Sequence, residues 1–122
     1  MFREIFNRVK SESAVRKVEN LNSETFAEKL KEDSNAVLID VRTKLENQSR
    51  RIPNSLLLDI SDPAFFQKLD KLDKTKNYYL YCRSGNRSFY AGNQMIKLGF
   101  VSVYNLQPGI IGWKGEIEQN IL

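Results

Sequence analysis

The sequence predicts a single α/β domain built on a mostly parallel β-sheet. Its 122 residues, of which 41% are apolar, suffice for one core of ordinary size. From residue 18 onward, short apolar runs alternate with helical patterns, which is typical of repeated strand–helix units. Two of these runs are apolar or aromatic without interruption and predict strands. They are residues 36–39, whose form is the one expected when both faces of a strand are covered, and residues 78–81.

Residues 1–17 are predicted to be an extension that precedes a core domain of residues 18–122. Apolar side chains recur in the extension at the spacing of one helical face, which predicts a short amphipathic helix. These side chains are Phe2, Ile5, Phe6 and Val9. Such a helix either packs on its own domain or, through residues 1–10, contacts a second copy, a partner or a membrane surface. The sequence leaves these alternatives open.

The first helix and the first long strand of the core domain follow each other closely. Asn22 is placed to cap a helix that starts at Ser23 and ends near Asp33. The apolar strand of residues 36–39 comes next and ends at Asp40. This order of elements is the one expected for a strand–helix–strand repeat.

The middle of the chain predicts a loop, a short strand and a helix. A polar loop is expected over residues 42–51, followed by a strand at residues 55–58. Asp62 and Pro63 then supply a cap and a first-turn proline for the helix. Its apolar side chains are Phe65, Phe66 and Leu69.

The last strand–helix–strand unit contains the cysteine. Residues 78–81 predict a strand that delivers Cys82 at its carboxyl end. Residues 86–98 predict the next helix, closed by Gly99 as its C-terminal cap, and residues 101–104 predict a further strand. The helix residues available for packing are Phe89, Ala91, Gly92, Met95 and Ile96. We expect Trp113 and the strand tyrosines to belong to the core or to a pocket wall.

Charge and cysteine content narrow the functional classes. The 19 basic and 15 acidic residues are spread along the chain without a nucleic-acid motif, so we expect no nucleic-acid partner. A single cysteine rules out an intramolecular disulfide, and the absence of histidine removes the commonest metal ligand. We therefore expect no metal and no cofactor, a reducing cytoplasmic location, and neither a transmembrane segment nor a signal peptide.

The six residues from Cys82 to Arg87 connect the cysteine-bearing strand to the following helix. In parallel sheets, ligands bind beyond the carboxyl ends of the strands, where Cys82 lies. The small Ser84 and Gly85 allow the backbone to curl around the sulfur, and Gly85 permits a positive φ that Asn86 also tolerates. Inward amide hydrogens, the helix N-terminus and two guanidinium groups would then favour thiolate over thiol in place of a histidine base.

The alternative interpretation is a small buried cysteine at a strand end, which is the common fate of free cysteines. A buried structural site gains nothing from the paired Arg83 and Arg87, so the residue pattern favours a catalytic or persulfide-bearing Cys82. A terminal persulfide sulfur or a sulfonate oxygen fits the same ring of amides, because both are anionic acceptors.

On these residues the chain resembles the rhodanese (sulfurtransferase) family over about residues 18–113. The loop CRSGNR, followed by Ser88, has the length and the composition of that family's active-site loop. Further matching motifs are Leu38-Ile39-Asp40-Val41-Arg42, Glu46, Ile52-Pro53, Gly99-Phe100, Val103-Tyr104-Asn105-Leu106, and Gly109-Ile110 with Trp113. The combination is specific.

The resemblance implies a rhodanese-like domain with a five-stranded parallel sheet flanked by helices on both faces. It also implies a sulfurtransferase in which Cys82 accepts sulfane sulfur from thiosulfate or from a protein persulfide. A thiol or cyanide would then accept that sulfur from the Cys82 persulfide. The partners expected from the resemblance are therefore a small anionic sulfur donor or a persulfide donor protein, and a thiol acceptor.

The resemblance also assigns roles to the residues around Cys82. The implied substrate-binding residues are Arg83, Ser84, Gly85, Asn86, Arg87 and Ser88. Their amides would cradle the added sulfur, the two arginines would attract anionic donors, and the Ser88 hydroxyl would add a contact. Asp40 and Arg42 match a pair near the pocket, for which we expect a supporting ion pair with Glu46 rather than contact with substrate.

The chain departs from the family pattern after Arg42 and near its C-terminal motif. Asn47 stands where an aromatic usually follows the acid, and Arg50-Arg51 replaces Gly-His. Asn54-Ser55 replaces Gly-Ala after the proline, and Pro108 replaces the first glycine of Gly-Gly-Ile. These changes alter the rim of the pocket, where the added cations favour an acidic donor protein.

Two other functions would use the same thiolate loop. A persulfide carrier or interaction module would take up sulfur at Cys82 only when a partner docks. The active-site loop typical of a cysteine phosphatase or arsenate reductase is a bowl with five residues between cysteine and arginine, whereas Cys82 and Arg87 enclose four. We expect the smaller bowl to exclude a tetrahedral oxyanion with all its contacts.

Overall fold

The computed structural model describes residues 16–120. The strands of this part of the chain are β1 (Glu19–Leu21), β2 (Ala36–Asp40), β3 (Arg50–Arg51), β4 (Leu56–Leu57), β5 (Asn77–Tyr81), β6 (Ser102–Leu106) and β7 (Glu118–Gln119). The helices are α1 (Ser23–Glu32), α2 (Lys44–Ser49), α3 (Phe65–Asp70) and α4 (Asn86–Lys97), with a short 3₁₀ helix at Ile110–Gly112.

Five strands form a parallel sheet in the order β1-β6-β5-β2-β4. The remaining strands, β3 and β7, pair antiparallel in a separate two-stranded sheet. The predicted five-stranded parallel α/β fold is confirmed. Because β5 is the middle strand, its carboxyl end delivers the following residue, Cys82, to the centre of one edge of the sheet.

The side chains of β5 alternate between two cores. Tyr78 and Leu80 belong with Cys82 to a core covered by α3 and α4, to which these helices contribute Phe65, Leu69, Ala91 and Met95. Tyr79 and Tyr81 belong to a second core that includes Phe26 of α1. Helices therefore cover both faces, and the strand tyrosines are core residues, as predicted. Trp113 packs against the second core.

The predicted polar loop over residues 42–51 is wrong, because the segment contains α2 and β3. A capping box starts the helix. The Thr43 hydroxyl accepts a hydrogen bond from the main-chain amide of Glu46 at 3.3 Å, and the Glu46 carboxylate accepts one from the main-chain amide of Thr43 at 3.0 Å. The helix buries none of its residues, so it lacks the apolar periodicity from which helices are usually predicted. The Thr-x-x-Glu spacing was the available signal.

Other boundaries differ by a few residues. The helix predicted from Asp62 begins at Phe65, because Asp62 instead accepts the amide of Ala64 at 2.8 Å and pairs with Lys68. The last long strand is displaced to Ser102–Leu106, and the strand at 55–58 is limited to β4. Phe89 is 39% exposed rather than packed, whereas Ala91, Gly92 and Met95 are buried.

Two predicted helix ends are confirmed. The Asn22 side chain accepts the amide of Thr25 at 2.8 Å, and Gly99 ends α4 with a φ of +99°. The predicted N-terminal helix lies outside the described residues, so the division at residue 17 stays a prediction. No helix within residues 16–120 is long and apolar enough to cross a membrane.

Candidate active site

Cys82 lies at the carboxyl end of the central strand and is 1% exposed. Its Sγ accepts hydrogen bonds from the main-chain amides of Gly85, at 3.1 Å, and Ser88, at 3.4 Å. The Ser88 hydroxyl lies 3.3 Å from the same sulfur. The sulfur thus faces a loop of donors, which is an arrangement that stabilises an anion.

The bend of this loop depends on Gly85. Its φ of +94° falls in the left-handed region, which glycine adopts without steric cost. A Cβ at this position would also overlap the main-chain carbonyl of Gln107. Asn86 does not share the positive φ that the sequence allowed, because it is the first residue of α4.

The loop is braced by the segment after β6. The amides of Ile110 and Ile111 donate to the carbonyls of Cys82 and Arg83 at 2.9 and 3.2 Å. Gly109, with a φ of +71°, lies so close to the Arg83 carbonyl that a Cβ would overlap it. This bracing was not predicted, although the Gly109-Ile110 motif was noted as part of the family pattern.

The buried side-chain amide of Asn105 connects the Cys82 loop to the edge strand β1. The Ser88 hydroxyl lies 2.6 Å from Asn105 Oδ1. The Asn105 Nδ2 donates to the Gly85 carbonyl at 3.1 Å and to Asn20 Oδ1 at 2.9 Å. Asn105 was not among the predicted site residues, because its contacts with the loop and with Asn20 depend on the pairing of β6 with β5 and with β1.

The environment of Cys82 acts on its pKa in two directions. Burial raises the pKa of the Cys82 thiol, because the thiolate is the charged form. Hydrogen bonds from the Ser88 hydroxyl and from the amides of Ser88, Ser84 and Gly85 outweigh burial, so the pKa is lowered overall. The reactive thiolate is therefore more populated at neutral pH than in an ordinary cysteine.

The two arginines of the loop differ in their partners. Arg87 forms a bidentate pair with Glu46, at 2.9 and 3.0 Å, and these hydrogen bonds lower the pKa of Glu46 to about 2. The side chain of Arg83 is exposed, and it forms no ion pair with another residue between 16 and 120. The expected ion pair of Glu46 with the Asp40 and Arg42 pair is therefore wrong.

Asp40 and Arg42 instead pair with each other beneath the rim. Two Arg42 nitrogens contact the Asp40 carboxylate at 3.0 and 2.8 Å, and both residues are buried. Asn47 donates to the same carboxylate at 3.0 Å, and Arg42 donates to the Arg50 carbonyl at 2.6 Å. The pair thus holds the C-terminal part of α2, through Asn47, which departs from the family pattern, and through the Arg50 carbonyl.

A cavity of about 430 Å³ lies beside the Cys82 loop. It is lined by Arg42, Leu45, Glu46, Ser49, Arg50, Arg83, Ile110 and Ile111. Leu45 and Ile111 are 77% and 61% exposed. Within the described part of the chain, no group of three or more cysteine, histidine or acidic side chains is close enough together to hold a metal ion.

Known proteins share both this sequence pattern and this fold. The family model of the Rhodanese-like domain matches residues 23–116. A protein of Allochromatium vinosum named "Sulfurtransferase" is 31% identical over 96 residues, which cover 79% of this chain and 88% of that protein. The crystal structure of a rhodanese-like domain protein from Staphylococcus aureus is similar with a TM-score of 0.69 at 24% identity, over 84% of this chain and 99% of that one.

A second solved structure is more similar in sequence. The rhodanese-related protein from Thermoplasma volcanium is 29% identical, with a TM-score of 0.67, over 78% of this chain and 89% of that one. The structural similarity therefore covers most of the described residues and is not limited to the sheet.

Proposed function

Because this chain belongs to the rhodanese-like domain family, we propose that it is a sulfurtransferase whose Cys82 carries the transferred sulfur as a persulfide. The observation that carries this proposal is the convergence of three donor groups, from Gly85 and Ser88, on the Cys82 sulfur. Donors that are fixed by a folded backbone stabilise negative charge without reorganising. They favour the thiolate before sulfur uptake, and they stay beside the anionic outer sulfur afterwards.

Sulfur uptake begins when the Cys82 thiolate attacks the outer sulfur of thiosulfate. A bond forms between Sγ and that sulfur, the sulfur–sulfur bond of thiosulfate breaks, and sulfite leaves with the bonding electron pair. The negative charge of the thiolate then lies on the terminal sulfur of the persulfide. The amides of residues 83–88, at the N-terminus of α4, hold that charge.

Sulfur delivery restores the starting enzyme. An acceptor thiolate or cyanide attacks the terminal sulfur, and the bond between that sulfur and Sγ breaks. The electron pair of the broken bond returns to Cys82, which leaves as a thiolate. The cycle is a double displacement through one covalent intermediate.

The surface next to the loop supports an anionic donor. Arg83 and Arg50 line the cavity with exposed guanidinium groups, and Leu45 and Ile111 add exposed apolar side chains. Thiosulfate needs only the positive charge, whereas a donor protein that carries a persulfide on an acidic and apolar surface would use both features. A reducing cytoplasmic compartment would keep the single cysteine available for either donor.

A persulfide carrier without turnover is the second candidate. It is favoured by the 1% exposure of Cys82, because a docking partner would then be needed to reach the sulfur. A cysteine phosphatase or arsenate reductase is less well supported, because the arginine that would bind the oxyanion, Arg87, is engaged by Glu46.

The thiosulfate–cyanide assay separates these functions. We expect the purified protein to form thiocyanate, and Cys82→Ala to lose at least about a thousandfold in rate because no other nucleophile replaces the thiolate. Negligible turnover with a partner-dependent gain of one sulfur mass would instead indicate the carrier. Full turnover in Cys82→Ala, or aryl phosphate hydrolysis that Cys82→Ser abolishes, would overturn the proposal.

A further inference from the structure

The hydroxyl of Ser88 has one proton and two acceptors within reach. Its Oγ lies 2.6 Å from Asn105 Oδ1 and 3.3 Å from Cys82 Sγ. Ser88 and Asn105 are 0% and 1% exposed, so solvent has little access to this proton. The proton can point to the amide oxygen or to the sulfur, but it cannot serve both fully.

The orientation of the Asn105 amide is fixed by the groups around it. The carbonyl of Gly85 can only accept, and it lies 3.1 Å from Nδ2, while Nδ2 also donates to Asn20 Oδ1 at 2.9 Å. Both amide hydrogens are therefore used, and Oδ1 faces Ser88. Since Oδ1 can only accept, the short contact with Ser88 forms only when the serine donates to it.

We propose that Asn105 is a positioning residue that competes with the Cys82 sulfur for the hydroxyl proton of Ser88. When Cys82 is a thiol, the proton stays with Asn105, and the S–H group can donate to the serine oxygen. When the sulfur becomes a thiolate, it is the stronger acceptor, and the hydroxyl turns toward it. Asn105 therefore makes the thiolate less favourable than Ser88 alone would make it.

The acceptor that the Ser88 hydroxyl chooses changes with the charge on Cys82 Sγ at each step of sulfur transfer, and this part of the inference rests on the proposed function. In the persulfide, the negative charge lies on the terminal sulfur, so Sγ is a weak acceptor and the hydroxyl returns to Asn105. During delivery, the electron pair of the breaking bond moves onto Sγ, and the hydroxyl turns back to it. Ser88 thus supports the leaving group only when that group carries charge.

The test is the titration of Cys82 by its rate of alkylation with iodoacetamide between pH 5 and 10. Cys82 is the only cysteine, so one added mass reports it without ambiguity. We expect Asn105→Val to lower the pKa of Cys82 by about 0.5 to 1 pH unit, and Ser88→Ala to raise it by a similar amount. Alkylation needs no sulfur transfer, so its outcome is independent of whether the proposed function is correct.

The double variant separates competition from a mere change in loop shape. In a Ser88→Ala background there is no proton to compete for, so adding Asn105→Val should move the pKa by less than about 0.2 pH unit. Tyr79→Phe, which removes a part-buried hydrogen bond from the opposite edge of the sheet, serves as the control and should leave the titration unchanged.

Two results would overturn the proposal. One is a pKa of Cys82 that is unchanged or raised in Asn105→Val. The other is that Asn105→Val lowers this pKa equally whether Ser88 is present or replaced by alanine. Asn105→Ala removes the same acceptor with a different effect on packing, and it takes the place of Asn105→Val if that variant does not fold.

Discussion

Polar side chains gather both where the parallel strands begin, at the amino edge of the sheet, and where they end, at its carboxyl edge. Only at the amino edge do these side chains fully satisfy one another's hydrogen bonds. At the amino edge, the Asp33 carboxylate accepts hydrogen bonds from the Tyr79 hydroxyl at 2.8 Å, from the Asn77 side chain at 2.9 Å and from the Asn35 amide at 2.9 Å. Each of these donors has its acceptor, which is already an anion. Such a cluster stabilises the fold and leaves little capacity for a ligand.

At the carboxyl edge, by contrast, the donors converge on a sulfur. A thiol is a weak acceptor, so the amides of Gly85 and Ser88 are fully used only when Cys82 carries or adjoins a negative charge. An edge that can bind an anion therefore differs from a structural edge by the acceptor it lacks rather than by the number of its polar groups. Variants at the two edges should therefore affect different properties.

Among variants that keep Cys82, Gly85→Ala at the carboxyl edge has the largest expected effect. The added Cβ would overlap the Gln107 carbonyl at a φ of +94°, so the loop has to move and the amide contact with the sulfur is lost. We expect sulfur uptake to slow about a hundredfold and the free energy of unfolding to fall by about 2 to 3 kcal/mol. Single-turnover loading with thiosulfate and urea unfolding measure the two changes.

Gly99→Ala is the matched control for this variant. Gly99 also has a positive φ, at +99°, but the nearest atom to its added Cβ is Cδ of the flexible Lys74 side chain, 3.9 Å away. It should cost about 1 kcal/mol in stability and leave the loading rate within about twofold. Equal loading rates in both glycine variants would show that the loop shape does not control sulfur uptake.

At the amino edge, Tyr79→Phe should change stability alone. The variant removes the donor of a part-buried hydrogen bond to Asp33 from a tyrosine that is otherwise buried, which we expect to cost about 1 kcal/mol in the free energy of unfolding. The sulfurtransferase rate should stay within about twofold of the wild type. Tyr90→Phe, on a ring that is 50% exposed, controls for the loss of a hydroxyl and should change neither quantity.

A fall in activity at unchanged stability in Tyr79→Phe would show that the amino edge contributes to chemistry rather than to stability alone. Steady-state rates and thermal unfolding of the same preparations distinguish these outcomes.

The smallest expected effect is that of Glu46→Gln at the rim. The pKa of Glu46 in the folded protein is about 2, below its ordinary value of 4.5, because Arg87 donates to it. Its charge therefore stabilises the fold fully above about pH 4.5, and this stabilisation is lost as the pH falls toward 2. We expect the variant to lose about 1 kcal/mol at pH 7, and the difference from wild type to shrink below pH 4.5.

Urea unfolding at pH 7, 4 and 3 measures this difference. Asp70→Asn, which removes the partner of Lys74 from a more exposed ion pair, is the control and should lose less than about 0.5 kcal/mol. A Glu46→Gln difference that does not decrease at low pH would contradict the assigned pair with Arg87.

The parts of the site that the sequence predicts are those fixed by local residues. The strand end at Cys82, the bend at Gly85 and the start of α4 depend on a run of adjacent residues, and the structure agrees with each of them. The polar helix α2 was missed because surface helices that bury nothing leave no apolar pattern.

Contacts between distant residues could not be predicted in this way. Glu46 and Arg87 are 41 residues apart, and their pairing depends on where α2 lies against the Cys82 loop. Asn105 reaches Ser88 across 17 residues and Asn20 across 85, so its role depends on sheet register rather than on a motif. Family resemblance supplied the fold but not these contacts.

The intact mass of the protein, measured after exposure to thiosulfate and removal of the excess, tests whether Cys82 carries the transferred sulfur. We expect the wild type to gain one sulfur atom, cyanide to remove it, and Cys82→Ala never to acquire it. An unchanged mass in the wild type with both thiosulfate and a low-molecular-weight persulfide as donors, or an equal gain in Cys82→Ala, would show that Cys82 does not carry the transferred sulfur.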